Sequence, residues 1–299
     1  MLFAARPTSA CRPDSAHQFV LLAPHRWKRQ SQFDDVVVDE FAYNQLLGAV
    51  QRFRGRSYLA DGALRPGDLT SDGRHQQPID PHSWHLVIQG EANEVVSCAR
   101  YYSLPNPCFE TTLTSRSRLA AEPEWQSQVR SVVESSIRLA MDRGAQFAEL
   151  GGWCVAESAR KTSHALRSVL SMYALGEILG GTVGLSTATT RHSSSSILQR
   201  LGAQRADWQG RALPTYFEPM FDCDMELLQF DSSRPAPKYA FQVLAYQQQM
   251  RSNVRVVCCG ASVPTCVNSL QSLAERVQFG DHSSHIATPS LRARGASMG

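Results

Sequence analysis

Phe41, Leu46, Leu47, Val50 and Phe53 recur with helical spacing over residues 40–54, which predicts an amphipathic helix ending near Gly55 or Gly62. Two runs rich in strand formers follow, Trp84–Gln89 and 95–104, separated by Gly90, Glu91 and Asn93 in the manner of an antiparallel hairpin. Residues 122–143 place Trp125, Val129, Val132, Val133, Ile137, Ala140 and Met141 on one face, with Pro123 in the first turn and Gly144 as terminator. That predicts a second helix. Residues 146–156 alternate like a strand, 164–179 read as a buried helix closed by Gly180 and Gly181, and 182–190 read as another strand. A short helix over 193–201 stops at Gly202, strand pieces fit 216–217 and 224–230, and a last helix fits 239–250.

This order interleaves helices and strands without a regular βα repeat, so it predicts a mixed α/β (α+β) domain and fits a TIM barrel or a Rossmann fold poorly. The expected boundaries are a flexible extension over 1–35, one domain over 36–235, and a helix followed by a disordered Ser-, Arg- and Gly-rich tail over 236–299.

The chain has 299 residues, 42% of them hydrophobic, enough for one well-buried domain. A formal net charge of +3 does not point to a nucleic-acid partner. The longest apolar stretch, 165–185, is interrupted by Arg167, Ser168, Ser171 and Glu177, so no membrane span is expected. The apolar run Phe19 to Ala23 is too brief for a signal-peptide core. Eight scattered cysteines, several inside strand-like runs, suit a reducing cytoplasm better than a disulfide scaffold, and none stands at metal-site spacing, so no metal is expected. GxGxxG, Walker A, GxSxG and HExxH sequences are lacking.

Residues 149–203, ELGGWCVAESARKTSH through to the closing ILQRLGA, resemble the GNAT superfamily in their strand, turn, long helix, strand, short helix order. Upstream, HLVIQGEANEVVSCARYYSLP (85–105) is similar to the hairpin of long-chain N-acyl amino acid synthases and acyl-homoserine-lactone synthases. The likeness covers roughly 41–231. It implies a central, mixed, twisted sheet with a splay between two middle parallel strands and helices on both faces. It also implies an N-acyltransferase that moves a fatty acyl group from acyl-CoA or acyl carrier protein to the amine of a small acceptor such as an amino acid, with no tightly bound cofactor. Two other functions fit the same likeness: a lactone synthase acting on S-adenosylmethionine, and a non-catalytic module that binds an acyl thioester or a partner.

The residues can be read for that chemistry one by one. Gly151 and Gly152 interrupt a strand, as a bulge or a close backbone approach requires, and the resemblance puts the thioester's amides against the backbone of Trp153, Cys154 and Val155. Cys154 itself reads as packing. Arg160, Lys161, Thr162, Ser163 and His164 form a basic turn at a helix start, suited to an anion, although the turn lacks the family's glycines. Ser163 is also a plausible N-cap. Amide formation needs a base for the amine's proton, and Glu149 is the candidate; regular alternation would place Phe147, Glu149, Gly151 and Trp153 on one face. Arg100 and Arg56 are the candidate clamps for an acceptor's carboxylate.

Overall fold

The computed structural model describes residues 17–27, 32–160 and 162–260. The elements run β1 (Gln18–Leu22), β2 (Val36–Val38), α1 (Glu40–Ala60), β3 (Trp84–Gln89), β4 (Val95–Ser103), α2 (Arg118–Ala121), α3 (Gln126–Asp142), β5 (Gln146–Val155), α4 (Ser163–Ile178), β6 (Thr182–Thr189), α5 (Ser194–Leu201), β7 (Gln204–Arg205), β8 (Asp207–Trp208), β9 (Arg211–Ala212), β10 (Tyr216–Glu218), β11 (Cys223–Asp231), α6 (Ala240–Asn253) and β12 (Arg255–Cys258). The expected tail beyond residue 260, and Lys161 of the basic turn, lie outside the described residues.

One mixed sheet organises the chain, in the order β10-β11-β6-β5-β4-β3-β1-β12-β2, with β7 added to β11. β5 and β6 are parallel, as are β1, β12 and β2 where they meet, while the other neighbours run antiparallel. Helices cover both faces. On one, α4 and α6 pack on Leu21, Leu86, Ala99, Ala148 and Leu150. On the other, α1 lies over Val20, Leu22, Val87 and Cys98, and α3 over Phe147, Val183, Leu185 and Leu227. This is the arrangement that the resemblance implies.

Two differences from the sequence reading, and one choice between its alternatives, have clear physical causes. Residues 18–22, within the stretch expected as an extension, form an interior strand between β3 and β12. Burial on both sides removes the polar–apolar alternation that marks a half-exposed strand, so FVLL gives only a short apolar run. Helix α1 takes the later of its two expected ends, passing Gly55 and stopping at Ala60 just before Gly62, because Gly55 serves packing: a Cβ there would strike the carbonyl of Gly73. Finally, Phe41 and Met141 are exposed, so each apolar stripe is narrower than the sequence suggested.

The β5–β6 ladder ends part-way along both strands. It pairs Gln146 with Thr182 and continues to Leu150 opposite Ser186. Past that point β5 stays with β4 while β6 stays with β11, so the two parallel strands diverge. Nearby, the β4–β5 register shifts: Cys98 faces Cys154 but Arg100 faces Gly151, giving β5 one extra residue. Gly152 absorbs that bulge at φ +58°, a left-handed conformation that favours glycine.

Candidate functional site

The bulge decides which side chains share a face. Glu149 points towards α3, and Arg100 reaches the backbone of Gly151 from that side of the sheet. The extra residue then sends Trp153 and Val155 to the α4 face, while Cys154 returns to the α1 face beside Cys98 and Val87. The expectation that Trp153 shares a face with Glu149 is therefore corrected: simple alternation does not survive an inserted residue.

On the α1 side lies a buried charged cluster. Asp80 is fully buried and receives Arg54 through both Nη1 (3.0 Å) and Nη2 (2.6 Å), Arg100 through Nη1 (3.0 Å) and Gln51 through Nε2 (3.0 Å). Burial alone would raise the pKa of Asp80; hydrogen bonds and charge from Arg54, then charge from Arg100, outweigh it and hold the carboxyl well below its usual range. Burial pushes His75 and His85 down to about 4, so both are neutral near pH 7. His85 donates from Nε2 to the Asp80 carbonyl (2.8 Å).

Two guanidiniums and one carboxylate leave a buried surplus of positive charge. Among the described residues Asp80 is the carboxylate in ion-pair contact with either arginine. Arg100 also donates to the Gln77 side chain, yet its Nε is buried without a partner. Its Nη2 faces Gly151, where a Cβ would sit 3.7 Å away. Gly152 leaves room for both arginines: a Cβ there would lie 3.3 Å from Arg100 Cβ and 3.4 Å from Arg54 Nη1.

Glu149 is also buried. Its Oε2 accepts from the Leu113 amide (2.5 Å), and its Oε1 from the Thr114 amide (2.7 Å) and Thr114 Oγ1 (2.8 Å). Burial raises its pKa, with those three hydrogen bonds pulling part of the way back. A carboxylate offers about four lone-pair sites, so one remains for an incoming donor.

Across the sheet an apolar slot opens under α4 and α5 at the divergence. Leu150, Gly151, Trp153 and Ser186 form its end at the splay, and Met172, Tyr173 and Leu198 line it further in. Gly151 thus borders the slot on one face and Arg100 on the other.

The basic turn stands at the start of α4. Thr162, rather than Ser163, is the N-cap, its hydroxyl accepting from the His164 amide (3.2 Å). Arg160 is tied to Asp61 (3.1 Å) and half exposed, and the His164 ring is buried 4.3 Å from that of His17. Arg56 is exposed, and the structure brings Arg54 to Arg100 in its place. The sequence did carry a signal for Arg54: with Leu47, Val50 and Gln51 it stands at i, i+3, i+4 and i+7, so a polar pair occupies the apolar stripe. Asp80 offered none beyond its place between Ile79 and Pro81.

Comparison with known proteins adds likeness of shape. No family model matches the chain, and no curated protein matches it. Among solved structures it is similar to BjaI, a CoA-dependent acyl-homoserine lactone synthase solved with SAM and isopentyl-CoA, at 14% identity over 83% of this chain and 95% of that one, TM-score 0.46. It is similar to FeeM, an N-acyl amino acid synthase from uncultured soil microbes, at 10% identity over 74% and 94%, TM-score 0.41. A putative N-acetyltransferase from Lactobacillus plantarum matches at 8% identity over 72% and 98%, TM-score 0.41. No described helix is long and apolar enough to cross a membrane.

Proposed function

We propose that this chain is an acyltransferase that moves an acyl group from a thioester to the amine of a small acceptor bearing a carboxylate, an amino acid being the simplest case. The observation that carries the reading is the position of Gly151, at a gap between parallel strands with an apolar slot on one face and a surplus buried guanidinium on the other. The slot's apolar walls suit an acyl chain, which must part them to enter because the slot holds only about 30 Å³, and a carboxylate suits Arg100 Nη2, where it would supply the missing negative charge. The unpaired edge of β5 beyond Leu150 suits the amides of a pantetheine arm, added as a strand along Gly151 to Val155. Both carrier protein and coenzyme A present that arm. Arg160, Thr162, Ser163 and His164 at the start of α4 suit the donor's phosphate, with Arg160 first released from Asp61.

In the reaction a neutral amine attacks the thioester carbonyl, its proton passes to the free lone pair of Glu149, and the thiolate departs. Raised basicity in that carboxylate favours proton uptake near neutral pH. Entry of the acceptor requires movement of residues 109–117, because Glu149 holds Leu113 and Thr114 over the site.

The test supplies purified protein with acyl-CoA and acyl-carrier-protein donors and a panel of amino acids, and detects products by mass spectrometry. N-acyl amino acids are expected, with Glu149→Gln lowering kcat by about a hundredfold or more. A lactone formed from S-adenosylmethionine would replace the acceptor in this reading. Thioester binding without turnover on any amine would make the protein a binding module.

A further inference from the structure

Helix α6 carries apolar side chains on two faces, and one of them is uncovered. Val243 and Met250 are buried in the core, with Tyr246 packed against it. Phe241 and Leu244 are 83% and 59% exposed, which makes Phe241 the most exposed large hydrophobic side chain among the described residues. Ala240, Ala245, Gln248 and Arg251 are exposed along the same helix. A helix covered on one side alone ordinarily sets polar residues on the other.

The charge around this face has one sign. Residues 232–255 contain Arg234, Lys238, Arg251 and Arg255 and no aspartate or glutamate. Arg234 and Arg255 lean on acids outside that segment, Asp231 (3.5 Å) and Asp35 (3.3 Å). Lys238 and Arg251 are exposed, and among the described residues neither is in an ion pair; the Lys238 ammonium lies 4.9 Å from the centre of the Tyr239 ring. The exposed Val38 and Phe41 differ in this respect, since Asp35, Asp39 and Glu40 stand beside them in the chain.

Exposed apolar tips flanked by unpaired cations match the surface of an anionic bilayer: the tips enter the boundary between headgroups and acyl chains, and the cations stay level with the phosphates. A second copy of the chain matches less well. A two-fold contact sets a face against itself, so Lys238 and Arg251 of each copy would meet like charge. We propose that the outer face of α6 is a membrane-surface contact, through which the protein rests on lipid rich in anionic headgroups without crossing it. Phe241 and Leu244 supply the insertion, and Lys238 and Arg251 the preference for negative charge. The contact is independent of whether the chain transfers an acyl group.

The experiment mixes the full chain with vesicles of phosphatidylcholine, alone or with phosphatidylglycerol, and reads the bound fraction by flotation. Binding to the anionic vesicles is expected to exceed binding to the neutral ones by about tenfold or more and to weaken as salt is added. Phe241→Ser with Leu244→Ser should lower binding to anionic vesicles about tenfold or more. Lys238→Glu with Arg251→Glu should bring the two compositions close to equal. All four positions are exposed, so both variants should keep the parent's Tm, which shows that any loss of binding is not loss of fold. No binding to anionic vesicles at low salt, or equal binding of the parent to both compositions, overturns the proposal. Binding that both variants retain overturns the assignment to α6. A dimer seen without vesicles and abolished by Phe241→Ser with Leu244→Ser puts a second copy on this face instead.

Discussion

A carboxylate gripped by two arginines in a dry interior behaves as part of a unit, and removing it leaves both cations without a counter-charge. Asp80→Asn is therefore expected to destabilise the fold by about 3–5 kcal/mol, measured by chemical denaturation, because breaking a buried ion pair costs more than the pair contributes. A loss under ~1 kcal/mol would show that Arg54 and Arg100 are neutralised by some other group. The neighbouring histidines add a pH dependence with a definite sign. Their folded values of about 4 lie below the ordinary value near 6.5, so the unfolded chain binds more protons between the two. The stability from keeping them neutral is fully present above about pH 6.5 and is lost as pH falls towards 4. His85→Asn should shrink that slope; an unchanged slope would assign the protons elsewhere. Asp80 adds a loss at lower pH, since its depressed value matters only below the usual carboxylate range. Much of this cluster was legible at one residue only. Arg100 stands out inside a strand, and Arg54 could have been found on its helix stripe, but Asp80 arrives from a loop that no periodicity governs.

Among elements, the bulge in β5 matters most. Two consecutive glycines in a strand announce an irregularity in the sequence, yet they do not say that one residue is inserted or that Trp153 consequently changes face. That information belongs to the register with β4, a pairing between residues more than fifty positions apart. The two glycines should also respond differently to alanine. Gly152→Ala places a side chain at positive φ and against both arginines, so a loss of about 1–2 kcal/mol or more in unfolding free energy is expected. Gly151→Ala meets only the tip of Arg100, 3.7 Å away, so its stability should change little while kcat/KM for acyl transfer falls at least tenfold by narrowing the gap. Equal effects of the two on stability and on turnover would mean that Gly151 is not the passage. The proposed base would have its own signature: because burial raises the pKa of Glu149, activity should fall as pH drops through a value above the ordinary carboxylate range, and the Gln variant should lack that limb.

Across the whole molecule, the sheet is completed by segments from distant parts of the sequence. β1 and β12 lie side by side although they stand near opposite ends of the described chain, and β2 covers β12. The sequence showed the middle of the fold well, from the hairpin to α5, since those elements are either amphipathic or bounded by glycines. It hid β1 and β12 because short strands buried on both sides carry no period, and β2 because three residues at the sheet's edge are too few to show one. Val256 is fully buried within that closure, so Val256→Asp is expected to cost about 4 kcal/mol or more and to expose the chain to limited proteolysis. Native-like protease resistance would show that this end of the sheet is dispensable.

The gap at Gly151 has a consequence for the product rather than the reactants. On the proposed reading, joining an amine on the α1 side to an acyl group on the α4 side would make a molecule threaded through the sheet, with its charged head among arginines and its tail among leucines. It must leave either by drawing the tail past a salt-bridged cluster or by drawing the head through an oily slot, unless the strands part further. Departure would then set the pace of the cycle, and the longer the tail, the slower each turn.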